Sequence, residues 1–130
     1  MDQERATRWL EALAGAWRNR DPDAVVGLFS DGAVYRAHPF RPPLHGRAAI
    51  AEYWAAATVN LEGIEVRFGD PIVSGDRVAV EWWAVSIEAG DLTTDAGSLF
   101  LRFGDTGCQE LREYWNVAPG EIPAAEGWGE

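Results

Sequence analysis

The feature that most restricts the fold is a change of hydrophobic period just after Thr58. Before it, apolar residues recur every three or four positions; after it, long β-rich segments alternate with "SGD", "AGD" and "GDTG". Each of those breaks has hairpin-turn chemistry, so Ile64 to Val73, Arg77 to Glu88, Leu92 to Phe103 and Cys108 to Val117 are expected to form a four-strand antiparallel meander. A chain with helices first and hairpins last buries both by laying the helices on one face of the sheet, which is the α+β class.

The first half supplies those helices. Trp9, Leu10, Leu13 and Trp17 fall on one face of a helix from Glu4 to Arg18. Asp21-Pro22 is a cap followed by proline at the first helical position, opening a second, shorter helix to about Phe29 that Ser30-Asp31-Gly32 closes. Ala33 to His38 reads as a strand, stopped by Pro39 and by Pro42-Pro43. A third helix runs from near Gly46 to near Thr58, with Ile50 and Trp54 on one face. The tail "APGEIPAAEGWGE" has no regular pattern, although Trp128 could pack back on the body. The expected architecture is a cone-shaped, curved, mixed or antiparallel sheet wrapped around three N-terminal helices. One domain is expected over residues 1–130, with its core at 4–118. A cavity between sheet and helices is a natural small-molecule site.

Charge and composition remove several functions. With a net charge of −10 and no arginine run interleaved with aromatics, the chain is poorly suited to phosphate backbones, so nucleic acid is not an expected partner. All eleven basic residues are arginine, which excludes Schiff-base chemistry through lysine. Cys108 is the single cysteine and reads as a quiet structural thiol. The charged start "MDQERATRWLEAL" has no apolar signal core, and no apolar run of about twenty residues occurs, so the expectation is a cytoplasmic protein without a membrane partner.

The run "RDPDAVVGLFSDGAVYRAHPFRPPLHGRAAIAEYW", the hairpins and the closing "LREYWNV" resemble the nuclear transport factor 2-like superfamily. Within it, the chain is most similar to SnoaL-like domains and more distantly to ketosteroid isomerases. The likeness covers roughly residues 7 to 118 and implies the cone-shaped α+β barrel. The superfamily holds isomerases, cyclases, hydrolases, dehydratases and binding domains, so the resemblance specifies the fold more than the activity. In ketosteroid isomerases a tyrosine on the first helix and a strand aspartic acid form the oxyanion hole; the matching positions here are Leu13 and Leu99. Their proton-transferring aspartate, in an Asp-Pro-Phe sequence, falls on His38 of "HPF". The resemblance therefore argues against ketosteroid isomerase chemistry but implies a base type at the cavity.

Alternation along the strands then assigns the lining. Taking His38 as inward makes Arg36 and Val34 inward, with Tyr35 and Ala37 outward. The superfamily alignment turns Ala79, Glu81, Trp83 and Val85 inward, then Asp95, Gly97, Leu99 and Leu101, then Leu111, Glu113 and Trp115. Leu13 and Trp17 of the first helix, and Trp54 or Tyr53 of the third, close the cone. The candidate catalytic residues are His38, Glu81 and Glu113, with Trp17, Arg36, Trp54, Trp83, Asp95, Leu99 and Trp115 as candidate substrate contacts. Arg36 is expected to bridge Glu81 or Glu113, since an unpaired buried carboxylate is costly. His38 is the group free to titrate near neutrality.

Arg36 with two carboxylates is also similar to the water-activating set of the superfamily's epoxide hydrolases, without matching its spacing closely. His45, in "LHGR", reads as helix-entry structure. Two histidines seven residues apart lack metal-ligand spacing, so neither a metal nor a cofactor is expected. The functional expectation is a small, apolar, cyclic metabolite bound in an aromatic pocket and turned over by cofactor-independent acid–base chemistry. The alternative is a non-catalytic binding or dimerisation module with a purely structural Arg36/Glu81/Glu113 cluster. Because Trp82 and Trp83 are adjacent, one must face outward, where it marks a homodimer interface or a surface covered by another element.

Overall fold

In a computed structural model describing residues 1–130, three helices, two ahead of the first strand and the third between the second and third strands, cover a curved, unclosed seven-stranded sheet. Helix α1 (Gln3–Arg18) starts where the Asp2 carboxylate accepts a hydrogen bond from the Arg5 N–H at 2.8 Å. It buries Ala6, Leu10, Leu13, Ala14 and Ala16. Helix α2 (Pro22–Val26) is capped by Asp21, as the sequence implies, but it is shorter than expected. The chain enters strand β1 (Phe29–Arg36) early, because the Leu28 carbonyl accepts from the Cys108 N–H across the sheet at 3.1 Å. Ser30-Asp31-Gly32 therefore lies inside the strand rather than ending the helix.

A two-residue strand, β2 (Leu44–His45), returns against β1 and leads into α3 (Gly46–Thr58). Arg47 clamps this entry: its guanidinium donates to the Phe29 carbonyl at 2.9 and 2.7 Å and pairs with Asp31 at 2.9 Å. His45 is exposed at this entry, consistent with architecture.

The expected first meander strand splits into β3 (Leu61–Phe68) and β4 (Ile72–Ser74). Gly69-Asp70-Pro71 breaks it, because Pro71 has no N–H to continue a ladder. Both pieces pair with β5 (Arg77–Glu88), which continues antiparallel to β6 (Asp91–Gly104) and β7 (Gly107–Pro119). Strand β1 joins the other edge of β7 in parallel, giving the order β2-β1-β7-β6-β5-β3 and a mixed sheet.

The core lies between α1, α3 and the concave face of the sheet. Trp9 sits edge-on to Phe29 and Phe103 and donates its indole N–H to the Leu28 carbonyl at 3.0 Å. Cys108 is completely buried, donates to the Glu110 carbonyl, and burial pushes its thiol up to about 12.

The tail crosses the outer face of the sheet. Trp83 faces that side, donates its indole N–H to the Ile122 carbonyl at 2.9 Å, and meets Trp128 edge-on at 5.9 Å, with the Arg67 guanidinium over the Trp128 ring. Thr94 holds the tail at two points, donating to the Gly120 carbonyl and accepting from the Ile122 N–H. No helix is long and apolar enough to cross a membrane.

Candidate functional site

Between α1, α3 and the concave sheet lies a cavity of about 270 Å³. Trp17 of α1, Tyr53, Trp54, Ala57 and Thr58 of α3, and Leu61 and Trp82 behind them form one side. Tyr35, Glu88, Asp95, Glu113, Trp115 and Val117 form the other. The tryptophans line this space without filling it. Trp17 meets Trp54 at 5.3 Å and 81°, and Trp82 at 5.2 Å and 62°, so edge-to-face contacts hold the rings apart as walls.

Two strands are turned opposite to the sequence expectation. On β1, Tyr35 is buried in the cavity wall, whereas Arg36 is exposed. On β5, Val78, Val80, Trp82 and Ala84 are buried against the helices, whereas Glu81 is exposed and Trp83 lies under the tail. A one-residue difference of register sends every side chain of a strand to its other face, and here burial of Tyr35 and Trp82 outweighs any role for Arg36 and Glu81 inside. On β6 and β7 the expected faces hold: Leu99, Leu101, Leu111 and Glu113 are buried inward, and Asp95 and Trp115 reach the cavity.

These placements dissolve the expected Arg36/Glu81/Glu113 cluster. The ion pairs present are Arg8–Glu4, Arg47–Asp31 and Arg112–Glu110, and none includes those three residues. Glu81 accepts a hydrogen bond from the Gly129 N–H at 3.4 Å, on the outer face. His38 lies past the end of β1, outside the cavity lining; its Nδ1 accepts from the Phe40 N–H at 3.2 Å. The Pro-rich bend keeps it there. Leu99 is core, buried to 2% exposure and absent from the lining.

What the cavity brings together instead is a pair of carboxyls with two tyrosines. Glu113, only 8% exposed, takes a hydrogen bond from the Tyr35 hydroxyl at 3.4 Å. Burial pushes its carboxyl up to about 8, with the Tyr35 bond opposing and the Asp95 charge adding to the rise. Burial also lifts Asp95 to about 6, helped by the charge of Glu88. Tyr35 is held well above its usual value by burial, then by Glu113, and burial takes Tyr53 to about 12. Both carboxyls are therefore held above the ordinary carboxylate range, Glu113 the higher of the two, beside two phenols kept neutral.

Three buried side-chain polar atoms have no hydrogen-bond partner: Trp54 Nε1, Trp82 Nε1 and Asp95 Oδ1. All three belong to residues of this cavity. The Trp54 indole N–H approaches the Tyr35 oxygen closely enough to temper its pKa, without hydrogen-bond geometry. Tyr35, Trp82 and Glu88 are among the site residues that the sequence expectation missed. No cluster of three or more His, Cys, Asp or Glu side chains is placed to hold a metal ion.

Helices packed into the concave face of a curved mixed sheet, with an aromatic and acidic cavity between them, define the cone-shaped α+β class. The chain belongs to the SnoaL-like domain family, whose pattern matches residues 6–111, within the nuclear transport factor 2-like superfamily. Among solved structures, it is similar to SalBIII, an epoxide hydrolase/cyclase-like enzyme of pyran ring formation in the polyether salinomycin. That match has 16% identity and a TM-score of 0.79, covering 92% of this chain and 98% of that one. An LEH-like epoxide hydrolase of M. tuberculosis aligns at 22% identity and TM-score 0.72, over 88% of this chain and 84% of that one. A protein of Catenulispora acidiphila with a ketosteroid isomerase-like fold, in complex with trimethylamine, aligns at 22% and 0.73, over 82% and 83%. At these identities the likeness is one of fold. No curated protein matches the sequence.

Proposed function

We propose that the protein binds a small metabolite with a largely apolar, cyclic body in this cavity and moves a proton on it without a cofactor, with Asp95 as base and Glu113 as acid. The observation that carries this reading is the set of unpartnered buried atoms on Trp54, Trp82 and Asp95. Leaving such groups dry costs about 1–3 kcal/mol each, a cost that a bound ligand would relieve. Two carboxyls whose surroundings separate their proton affinities are also the usual basis for dividing acid and base roles. Tyr53, neutral and donor-capable, lines the same cavity and would steady developing negative charge on a ligand oxygen, while Tyr35 gives its O–H to Glu113.

His38 has no part in this mechanism, since it stands outside the lining. The test is turnover of cyclic ketones, epoxides and polyketide-like compounds by wild type, Asp95→Asn and His38→Ala. The reading expects loss of roughly 100-fold or more in kcat for Asp95→Asn and an unchanged His38→Ala. Turnover that survives in Asp95→Asn would reject it; binding without turnover in wild type would leave a pure binding module.

The same reading keeps a homodimer on the outer sheet face, but not through Trp83, which the tail already covers. The edge-on pair Phe100 and Tyr114 remains exposed there and supports the contact. Phe100→Asp should convert a dimer to monomer in sedimentation; a wild type that sediments as a monomer ends the idea.

A further inference from the structure

The cavity has a charge balance that discriminates among ligands of the same shape. Glu88, Asp95 and Glu113 line it, and no arginine or histidine does. Arg41, whose charge acts on Tyr53, lies outside the lining. An anion entering here meets carboxyl groups with no positive partner. A cation supplies the opposite charge that buried carboxylates lack.

The remaining wall is arranged for the same occupant. Trp54 stands near a right angle to both Trp17 and Tyr53, at 81° for the two indoles and 87° for Tyr53 on Trp54. Rings set this way present faces from different directions, making a corner rather than a slot for a flat molecule. Electron-rich aromatic faces attract a cation, the more so when it is desolvated. A chain of net charge −10 also raises the local concentration of cations at its surface. The indole N–H groups of Trp54 and Trp82, both unpartnered and on residues more than nine-tenths buried, ask in addition for an acceptor oxygen.

We infer that the ligand of this cavity is a small organic cation, a tertiary or quaternary ammonium with an apolar body and at least one acceptor oxygen. This rests on the reading of the cavity as a ligand site and narrows it: the apolar metabolite carries a positive charge. The positive centre sits between the indole and phenol faces, within reach of the carboxyls, and the oxygen turns toward the indole N–H groups.

The experiment uses the whole chain and two probes that differ in one atom. Acetylcholine carries the ammonium and the ester oxygens; 3,3-dimethylbutyl acetate replaces the charged nitrogen with carbon and keeps the shape. Four tryptophans on the cavity wall make intrinsic fluorescence the readout, with calorimetry as the check. Acetylcholine should bind at least about tenfold more tightly than its carbon analogue. Asp95→Asn should weaken acetylcholine by roughly fivefold and leave the analogue unchanged. Equal or tighter binding of the analogue overturns the charge inference while the ligand-site reading stands. Saturable binding of neither probe overturns both. If Asp95→Asn fails to fold, the two probes on wild type decide the matter.

Discussion

A carboxyl held near pH 8 makes folding itself depend on pH. Glu113 is protonated in both folded and unfolded chains below its usual value of 4.5, so it costs nothing there. As pH rises from that value to about 8, the unfolded carboxyl ionises while the folded one resists, and stability is lost progressively, on the order of 5 kcal/mol in all. Asp95 adds a loss of the same sign between its usual 3.8 and about 6. Glu113→Gln, which cannot ionise, should melt at higher temperature than wild type at about pH 9, and the gain should vanish at about pH 4. A wild type whose melting temperature is flat between those limits contradicts the burial of Glu113 as an acid. Tyr35→Phe makes a second check. Removing the hydroxyl deletes the one hydrogen bond that favours the ionised carboxylate, so Glu113 should titrate still higher, with a stability change of about 1 kcal/mol by thermal melts.

At the scale of elements, the strands decide what the cavity contains, and the turns make the order of the meander strands readable, though not the parallel pairing of β1 with β7. The third helix was placed at Gly46–Thr58 from its sequence and forms there. The faces of β6 and β7 were legible because Leu99, Leu101 and Leu111 repeat on one side. The faces of β1 and β5 differ from the expectation because both rest on alignment to the superfamily, which sets His38 inward on β1, with alternation carrying that to Arg36 and away from Tyr35, and separately turns Glu81 and Trp83 inward on β5. Strand β5 held a contrary signal, since Val78, Val80, Trp82 and Ala84 form an uncharged face while the other carries Glu81. The sequence reading lets Trp128 pack back on the body, and it does, edge-on to Trp83; what no pattern supplies is that these two rings meet, because the tail has no periodicity.

Strand β6 also contains a glycine whose absence of a side chain the cavity needs. A Cβ on Gly97 would lie within 2.8 Å of both Cα and Cβ of Trp115, and closer still to the Tyr114 carbonyl oxygen. That close approach seats Trp115 at the cavity mouth, where its indole N–H donates to the Ala37 carbonyl at 2.9 Å. Gly97→Ala must push β6 from β7, costing about 1–3 kcal/mol and weakening ligand binding more than Gly32→Ala, an open position on the edge of β1, does. Fluorescence titration and thermal melts of the two variants read this directly; equal behaviour would remove Gly97 from the account.

For the whole molecule, two surfaces are governed by what lies across them. The tail is pinned where two glycines cross: a Cβ on Gly69 would stand 2.5 Å from the Gly129 Cα, and the Asp70 N–H donates to the Gly129 carbonyl at 2.6 Å. Gly69→Ala should lift the end of the tail and expose Trp83 and Trp128 to water, seen as a red shift of tryptophan emission, at about 1–2 kcal/mol of stability. Affinity in the cavity should hold, because the strap lies on the opposite side of the sheet; a parallel loss of binding would show that the two faces are coupled.

The parallel pairing of β1 with β7 has a consequence in time. Tyr35 and Glu113 are 78 positions apart, and Phe29 faces Cys108 in the same ladder. A growing chain on the ribosome cannot bring the phenol to its acid until the last hairpin has emerged, and a refolding chain must close its longest loop to do so. The Tyr35–Glu113 contact is thus expected among the last to assemble. Recovery of ligand binding after dilution from denaturant should lag the recovery of helical signal, and a chain arrested before β7 would carry helices and hairpins but no functioning pocket.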